Sequence, residues 1–128
     1  SGVGPQGTTG ATGPQFYDTF VDKGTVNSGT VTFALGTTDR YQRVQAGGNI
    51  TLAVTGWAAT GTLSELLLEC VNFGANTITF PTTSWIKSDG SFVATPALAG
   101  VTFQTAGTDF VLLWTRNGGT TIYAKAMR

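Results

Sequence analysis

Glycine recurs at every third position near the start of the chain, in the triplets Gly-Pro-Gln, Gly-Thr-Thr, Gly-Ala-Thr and Gly-Pro-Gln. The glycines of this register are Gly4, Gly7, Gly10 and Gly13. A triple helix of polyproline-II chains needs this spacing, because only glycine fits at its crowded axis and proline presets the backbone. The pattern predicts a short collagen-like tail over residues 1–15, with Ser1-Gly2 out of register as a cloning remnant. A flexible Gly/Pro/Thr linker is the alternative.

So short a triple helix needs help from the rest of the chain. Polyproline-II strands have no internal hydrogen bonds, so four triplets cannot hold three chains together. We therefore expect residues downstream to form a homotrimer, which keeps the three tails at high local concentration. The remaining sequence divides into a connector over residues 16–29 and a globular domain over residues 30–128.

The composition excludes several kinds of partner. Charged residues make up 11% of the chain, seven of each sign, whereas an average soluble domain has about 25%. The cations form no basic stripe, which argues against nucleic-acid binding. No apolar run approaches the roughly 18 residues of a membrane span, so we expect no membrane insertion. Low charge on a β-chain suits a subunit that covers its surface in an oligomer.

The single cysteine, Cys70, cannot form an intrachain disulfide. Small secreted domains usually depend on disulfides, so its isolation favours assembly in a reducing cytosol. The side chain lies in the apolar run LSELLLECVNF. This setting favours a buried small hydrophobe over a reactive thiol.

Several short segments alternate apolar and polar residues, which is the pattern of half-buried strands. In residues 30–35 and 49–55 the predicted inward side chains are Val31, Phe33, Leu35, Ile50, Leu52 and Val54. Further on, strands over 108–115 and 120–126 flank Asn117-Gly118, a strong hairpin signal. Seven or eight such strands, with glycine turns and no convincing helix, predict an all-β fold, a jelly-roll-like β-sandwich.

Residues 63–73 fit either a helix or a strand. Leucine favours a helix, but Glu65 and Glu69 would repel each other at i,i+4. As a strand, the segment places Leu66, Leu68 and Cys70 on one face and is apolar on both faces apart from the two carboxylates. We therefore predict a central strand whose second face contacts a neighbouring subunit.

The order NITLAVTGW, GTLSELLLECVN, NTITFPTTSWIKSDG and TDFVLLWTRNGGTTIYAKAM resembles a C-terminal domain of bacteriophage tail-fibre and virion-appendage proteins. The likeness covers about residues 49–126, and Ile122 departs from it where the family has an aromatic residue. The resemblance implies a homotrimeric β-domain at the end of a fibre. It also implies assembly in the bacterial cytoplasm, exposure on the virion surface and contact with other virion proteins. Collagen-like triplets also occur upstream of such domains in phage fibre proteins.

The residue types argue against catalysis. The chain has no histidine, which removes serine–histidine and cysteine–histidine pairs and leaves no cysteine/histidine cluster for zinc. On one strand face Glu65 and Glu69 would lie about 13 Å apart, too far for glycoside hydrolysis. We expect no enzyme, no metal site and no cofactor.

Three aromatic residues are candidates for binding a glycan of a host cell surface. Trp57, Trp85 and Tyr41 fall in or beside turn-rich segments, where sugar rings could stack on exposed aromatic faces. For Trp57 and Trp85, packing in the core or in an interface is an equally supported alternative. Trp114, in the middle of a strand, is predicted to lie in the core.

The sequence leaves three functions open. The first is a structural module that trimerises and caps a collagen-like stalk on a phage virion. The second is a receptor-binding tip, an adhesin that adsorbs to a host glycan. The third is a collagen-plus-jelly-roll protein outside phages, of the complement/tumour-necrosis-factor type or on a spore surface.

Overall fold

The structure, a computed structural model, describes residues 18–127. The predicted collagen-like tail at residues 1–15 therefore lies outside the described residues. The described chain contains ten strands and a single 3-10 turn at Phe73–Ala75. The strands are β1 (Phe20–Val26), β2 (Thr30–Ala34), β3 (Tyr41–Ala46), β4 (Ile50–Thr55), β5 (Ser64–Val71), β6 (Ile78–Thr79), β7 (Ser84–Ile86), β8 (Phe92–Val93), β9 (Thr108–Thr115) and β10 (Tyr123–Ala126).

The strands form two sheets around one apolar core. The larger sheet has seven strands in the order β1-β3-β5-β9-β10-β7-β8, and the smaller has three in the order β2-β4-β6. Both sheets contribute to the core, whose largest fully buried apolar side chains are Trp85, Phe33, Phe73, Leu35, Leu66, Leu68 and Leu113. The prediction of an all-β fold is confirmed. Each such side chain contributes about 1.5–3 kcal/mol by leaving water.

The alternation that predicted the first strands is visible in their burial. Val31 and Phe33 of β2 are buried while Thr30 and Thr32 are exposed, and Ile50 and Leu52 of β4 are buried in the same way. Residues 63–73 form a strand over most of their length, with Leu66, Leu68 and Cys70 buried on one face. That strand, β5, lies in the interior of the larger sheet, as predicted.

The connectivity is not that of a jelly roll, and this part of the prediction is wrong. A jelly roll pairs its strands antiparallel, in two Greek keys. Here the first six strands form parallel pairs: β1, β3 and β5 pair in the larger sheet, and β2, β4 and β6 pair in the smaller. Each connection between these parallel strands crosses over through a strand of the opposite sheet, where other parallel folds use a helix.

The domain begins earlier than its predicted start at residue 30. Residues within the predicted connector 16–29 form β1, which pairs with β3 at the edge of the larger sheet. The register shifts between Asp22 and Thr25, and Gly24 has a φ of 70° there. Because of this irregularity and the charged residues Asp22 and Lys23, β1 lacks the regular alternation of apolar and polar residues that would have predicted a strand.

The connection from β9 to β10 is longer than the predicted Asn117-Gly118 hairpin. The two strands do pair antiparallel, but the last pair is Trp114 with Tyr123, so the connection between the strands runs over residues 116–122. Asn117 organises this loop, because its side-chain oxygen accepts hydrogen bonds from the Thr121 N–H at 2.9 Å and from the Thr115 hydroxyl at 2.9 Å. A local network of side chains therefore replaces a two-residue turn.

Candidate functional site

The three aromatic residues predicted to bind a glycan do not share a surface. Trp85 in β7 is 1% exposed. Its ring contacts Phe80 edge-to-face, with the ring centroids 5.1 Å apart. Of the two alternatives left open for Trp85, packing in the core is therefore correct, and stacking on a ligand from this position is wrong.

Trp57 follows β4 and is half-buried against the core. Its ring lies over Gly119 in the β9–β10 loop, where even one added carbon would overlap the indole. The ring therefore packs between the core and that loop. Most of its area is used in packing within the domain.

Tyr41 lies at the surface, at the start of β3 on the side of the larger sheet away from the core. Its hydroxyl donates a hydrogen bond to the carboxylate of Glu69, and its ring lies 4.7 Å from that of Phe20. The hydrogen bond to Glu69, followed by desolvation, raises the pKa of Tyr41. The phenol is thus held in its neutral form on this surface.

We call the side of the seven-stranded sheet that faces away from the smaller sheet the outer face. Strand pairing brings the following residues together on it: Phe20, Asp22, Tyr41, Arg43, Glu65, Leu67, Glu69, Phe110, Leu112, Trp114, Tyr123 and Lys125. Two of its cross-strand rows are mainly apolar. Tyr41, Leu67 and Leu112 belong to the first row. Trp114 and Tyr123 belong to the second row.

Trp114 belongs to the outer face, so its predicted place in the core is wrong. In β9 the core side is taken by Val111 and Leu113, and Trp114 points the other way. Its ring stacks on Tyr123 with centroids 5.7 Å apart, and Tyr123 in turn contacts Phe92 at 5.1 Å. Because both faces of β9 are apolar, alternation alone did not show which face is buried.

Two shallow depressions mark the outer face. One has a volume of about 480 Å³ and is lined by Leu63, Phe92, Trp114, Arg116 and Tyr123. The other has a volume of about 370 Å³ and is lined by Asp18, Arg40, Tyr41, Glu65, Leu67, Leu112 and Met127. Both are walled mainly by apolar side chains, which suits them to packing against another apolar surface.

At the other end of the outer face, charged side chains of β1, β3 and β5 form ion pairs across the strands. Arg43 lies opposite both Asp22 and Glu69 in the register. Its guanidinium is 3.2 Å from the Asp22 carboxylate and 3.7 Å from that of Glu69. The Gly24 N–H, and secondarily Arg43, lowers the pKa of Asp22. These charges are therefore paired within the chain. They lie beside the two apolar rows and not within them.

Other kinds of site have little support among the described residues. Within 18–127 no three acidic or cysteine side chains are grouped so that they could hold a metal ion. The same residues include no helix with the length and apolarity needed to cross a bilayer. Cys70 is buried as predicted, and desolvation raises the pKa of its thiol well above the ordinary value. The thiolate that a nucleophile or metal ligand needs is therefore disfavoured.

Comparison with known proteins adds no relative. No protein-family model, no curated protein and no solved structure matches the chain. The function is therefore inferred from the residues of the chain itself.

Proposed function

We propose that this chain is a structural fibre module, of the kind that phage virions carry on their surface. In this proposal three copies of the β-domain associate and hold residues 1–15 as a triple-helical stalk, which the domain caps. The proposal depends chiefly on one combination: in-register glycine triplets precede a β-domain with an apolar outer face that no other described residue covers.

The character of the outer face supports a structural role. Large apolar side chains are exposed on it or at its rim, with Phe20 at 45%, Phe92 at 46% and Phe110 at 38%. Monomeric soluble proteins rarely leave a broad apolar face in water, because such a face drives association. Only 11% of the residues are charged, so little repulsion opposes that association.

Removing the tail tests which part of the chain drives assembly. A variant lacking residues 1–15 is expected to remain a trimer, because the outer face belongs to the domain. The full chain, but not the shortened one, should show the circular-dichroism signal of a polyproline-II triple helix. A shortened variant that sediments as a monomer would contradict the capping role.

A second variant tests the register of the tail without shortening it. Replacing Gly7 and Gly10 by alanine puts methyl groups at the triple-helix axis, where only glycine fits. The expected result is loss of the triple-helix signal with the trimer intact. The matched control replaces Thr8 and Thr12 by alanine, outside the glycine positions, and should preserve the signal. If the glycine variant keeps its signal, residues 1–15 are a linker.

A further inference from the structure

We infer that the outer face is the surface through which the copies of this chain contact one another around a three-fold axis. The inference rests on the proposed function and deepens it by assigning the interface to particular strands. The centre of the contact is the apolar area formed by Leu67 of β5, Leu112 and Trp114 of β9, and Tyr123 of β10.

This apolar area is continuous across the three strands. Leu67 lies opposite Leu112 in the β5–β9 register, and Trp114 lies opposite Tyr123 in the β9–β10 register. The opposite side of the same strands packs against the smaller sheet in the core. Where antiparallel strands such as β5, β9 and β10 leave one face in water, that face normally carries polar side chains. Among residues 18–127 nothing covers the second face, and its side chains are half-exposed.

The place where the described chain begins identifies the occupant of the outer face as another copy of the chain. Phe20, the first residue of β1, stands at the rim of the outer face with its ring against Tyr41. The triplets end at Gln15, only a few residues before it. A triple helix requires three chains to leave their domains close together. Outer faces that meet at one axis bring the three β1 starts towards it.

The outer face carries charges of both signs, so it is complementary to itself. Glu65 and Lys125 flank β9 on opposite sides, one across from Trp114 and the other across from Leu112. Within the described residues neither forms an ion pair. Contacts around a three-fold axis are heterologous, so different parts of the same face meet. A face carrying both signs can therefore meet its copies with unlike charges opposed.

The test uses the full chain and a matched pair of variants, each of which replaces an exposed or half-exposed leucine by aspartate. Leu112→Asp lies at the centre of the outer face, whereas Leu98→Asp lies in the turn before β9 at a position 63% exposed. We expect Leu112→Asp to weaken association by about 100-fold or more, as charges do at interface centres. Leu98→Asp should leave the trimer unchanged. Sedimentation velocity over a dilution series measures both.

Hydroxyl-radical footprinting of the unaltered protein keeps the test decisive if Leu112→Asp does not fold. In the trimer Trp114 and Tyr123 should be protected from oxidation while Leu98 is oxidised. Oxidation of Trp114 at the rate of a solvent-exposed tryptophan would overturn the assignment of the interface to this face.

The outcomes separate this inference from the proposed function. If the unaltered chain is a monomer or a dimer, the proposed function fails and the inference fails with it. If the chain is a trimer but Leu112→Asp remains a trimer, or Trp114 reacts freely, the interface is elsewhere. The proposed function then stands while the inference is overturned, and the outer face is free for another ligand.

Discussion

At Gly74 two segments of the chain approach so closely that no larger residue fits. The Gly74 N–H donates a hydrogen bond to the Gln104 carbonyl at 2.9 Å. A Cβ at this position would overlap the carbonyl oxygen of Phe103. The rings of Phe73 and Phe103 meet beside it, 5.6 Å apart. This glycine is therefore needed for the segment at 103–104, which has no strand of its own, to pack on the core.

Replacing Gly74 by alanine should destabilise the fold more than the same change at an open glycine. We expect Gly74→Ala to cost about 3 kcal/mol, because the backbone must move. Gly61→Ala is the control, since Gly61 has a φ of 93° but no atom within 4 Å of its added carbon. Its strain should cost about 1 kcal/mol. Urea unfolding at equal protein concentration compares the two, and equal losses would contradict the close approach.

Tyr41 gives the outer face a titratable group that can be followed by absorbance. Its pKa is raised above the ordinary value of 10.0, first by the hydrogen bond to Glu69. Because the folded protein favours the neutral phenol, this contribution to stability is present below pH 10.0 and is lost as the pH rises through the folded-state pKa.

An alkaline titration should therefore include a step for Tyr41 above the ordinary tyrosine pKa. Tyr41→Phe should remove this step, and Glu69→Gln should lower it. Tyr123→Phe, on the same face, is the control and should leave it in place. A step unaffected by Glu69→Gln would show that the hydrogen bond does not set the Tyr41 pKa.

At the scale of elements, β9 shows what alternation can and cannot predict. In β2 and β4 the residues between the apolar ones are polar or small, so the buried face follows directly from the sequence. In β9 Phe110, Leu112 and Trp114 alternate with Val111 and Leu113, and both faces are apolar. A shift of one residue exchanges the two faces, so only the packing of the smaller sheet decides which one is the core.

The two faces of β9 should respond differently to truncation. Leu113 is 1% exposed in the core, so Leu113→Ala should cost about 2–5 kcal/mol of folding stability without changing the oligomeric mass. Leu112→Ala, on the outer face, should instead weaken association and leave the far-ultraviolet circular dichroism of the domain unchanged. Denaturant unfolding and sedimentation velocity of both variants distinguish these effects. The opposite assignment of effects would contradict the face described for each leucine.

At the scale of the whole molecule, the fold class was predictable and the connectivity was not. Short apolar runs between glycine turns predicted strands, and the structure has them. The parallel pairing of β1, β3 and β5 leaves no comparable mark, because it depends on successive strands crossing between sheets. Nor did the sequence distinguish a packed tryptophan from an exposed one: Trp85 and Trp57 lie beside turns yet pack inward.

Only part of the outer face could be predicted from the sequence. The apolar character of both faces of β5 predicted a strand that contacts another subunit, and the structure places Leu67 on the uncovered face. In β9 the same pattern led to the wrong prediction that Trp114 lies in the core. Pairing of these two strands joins their second faces into one area, which depends on the sheet order.

The mass of the full chain in solution tests the central claim most directly. Sedimentation equilibrium should give roughly 40 kDa, three times the 13.3 kDa of one chain, and the value should persist on dilution through the micromolar range. The proposed triple helix needs three chains, and an apolar outer face favours association. A species of 13.3 kDa at micromolar concentration would contradict the account.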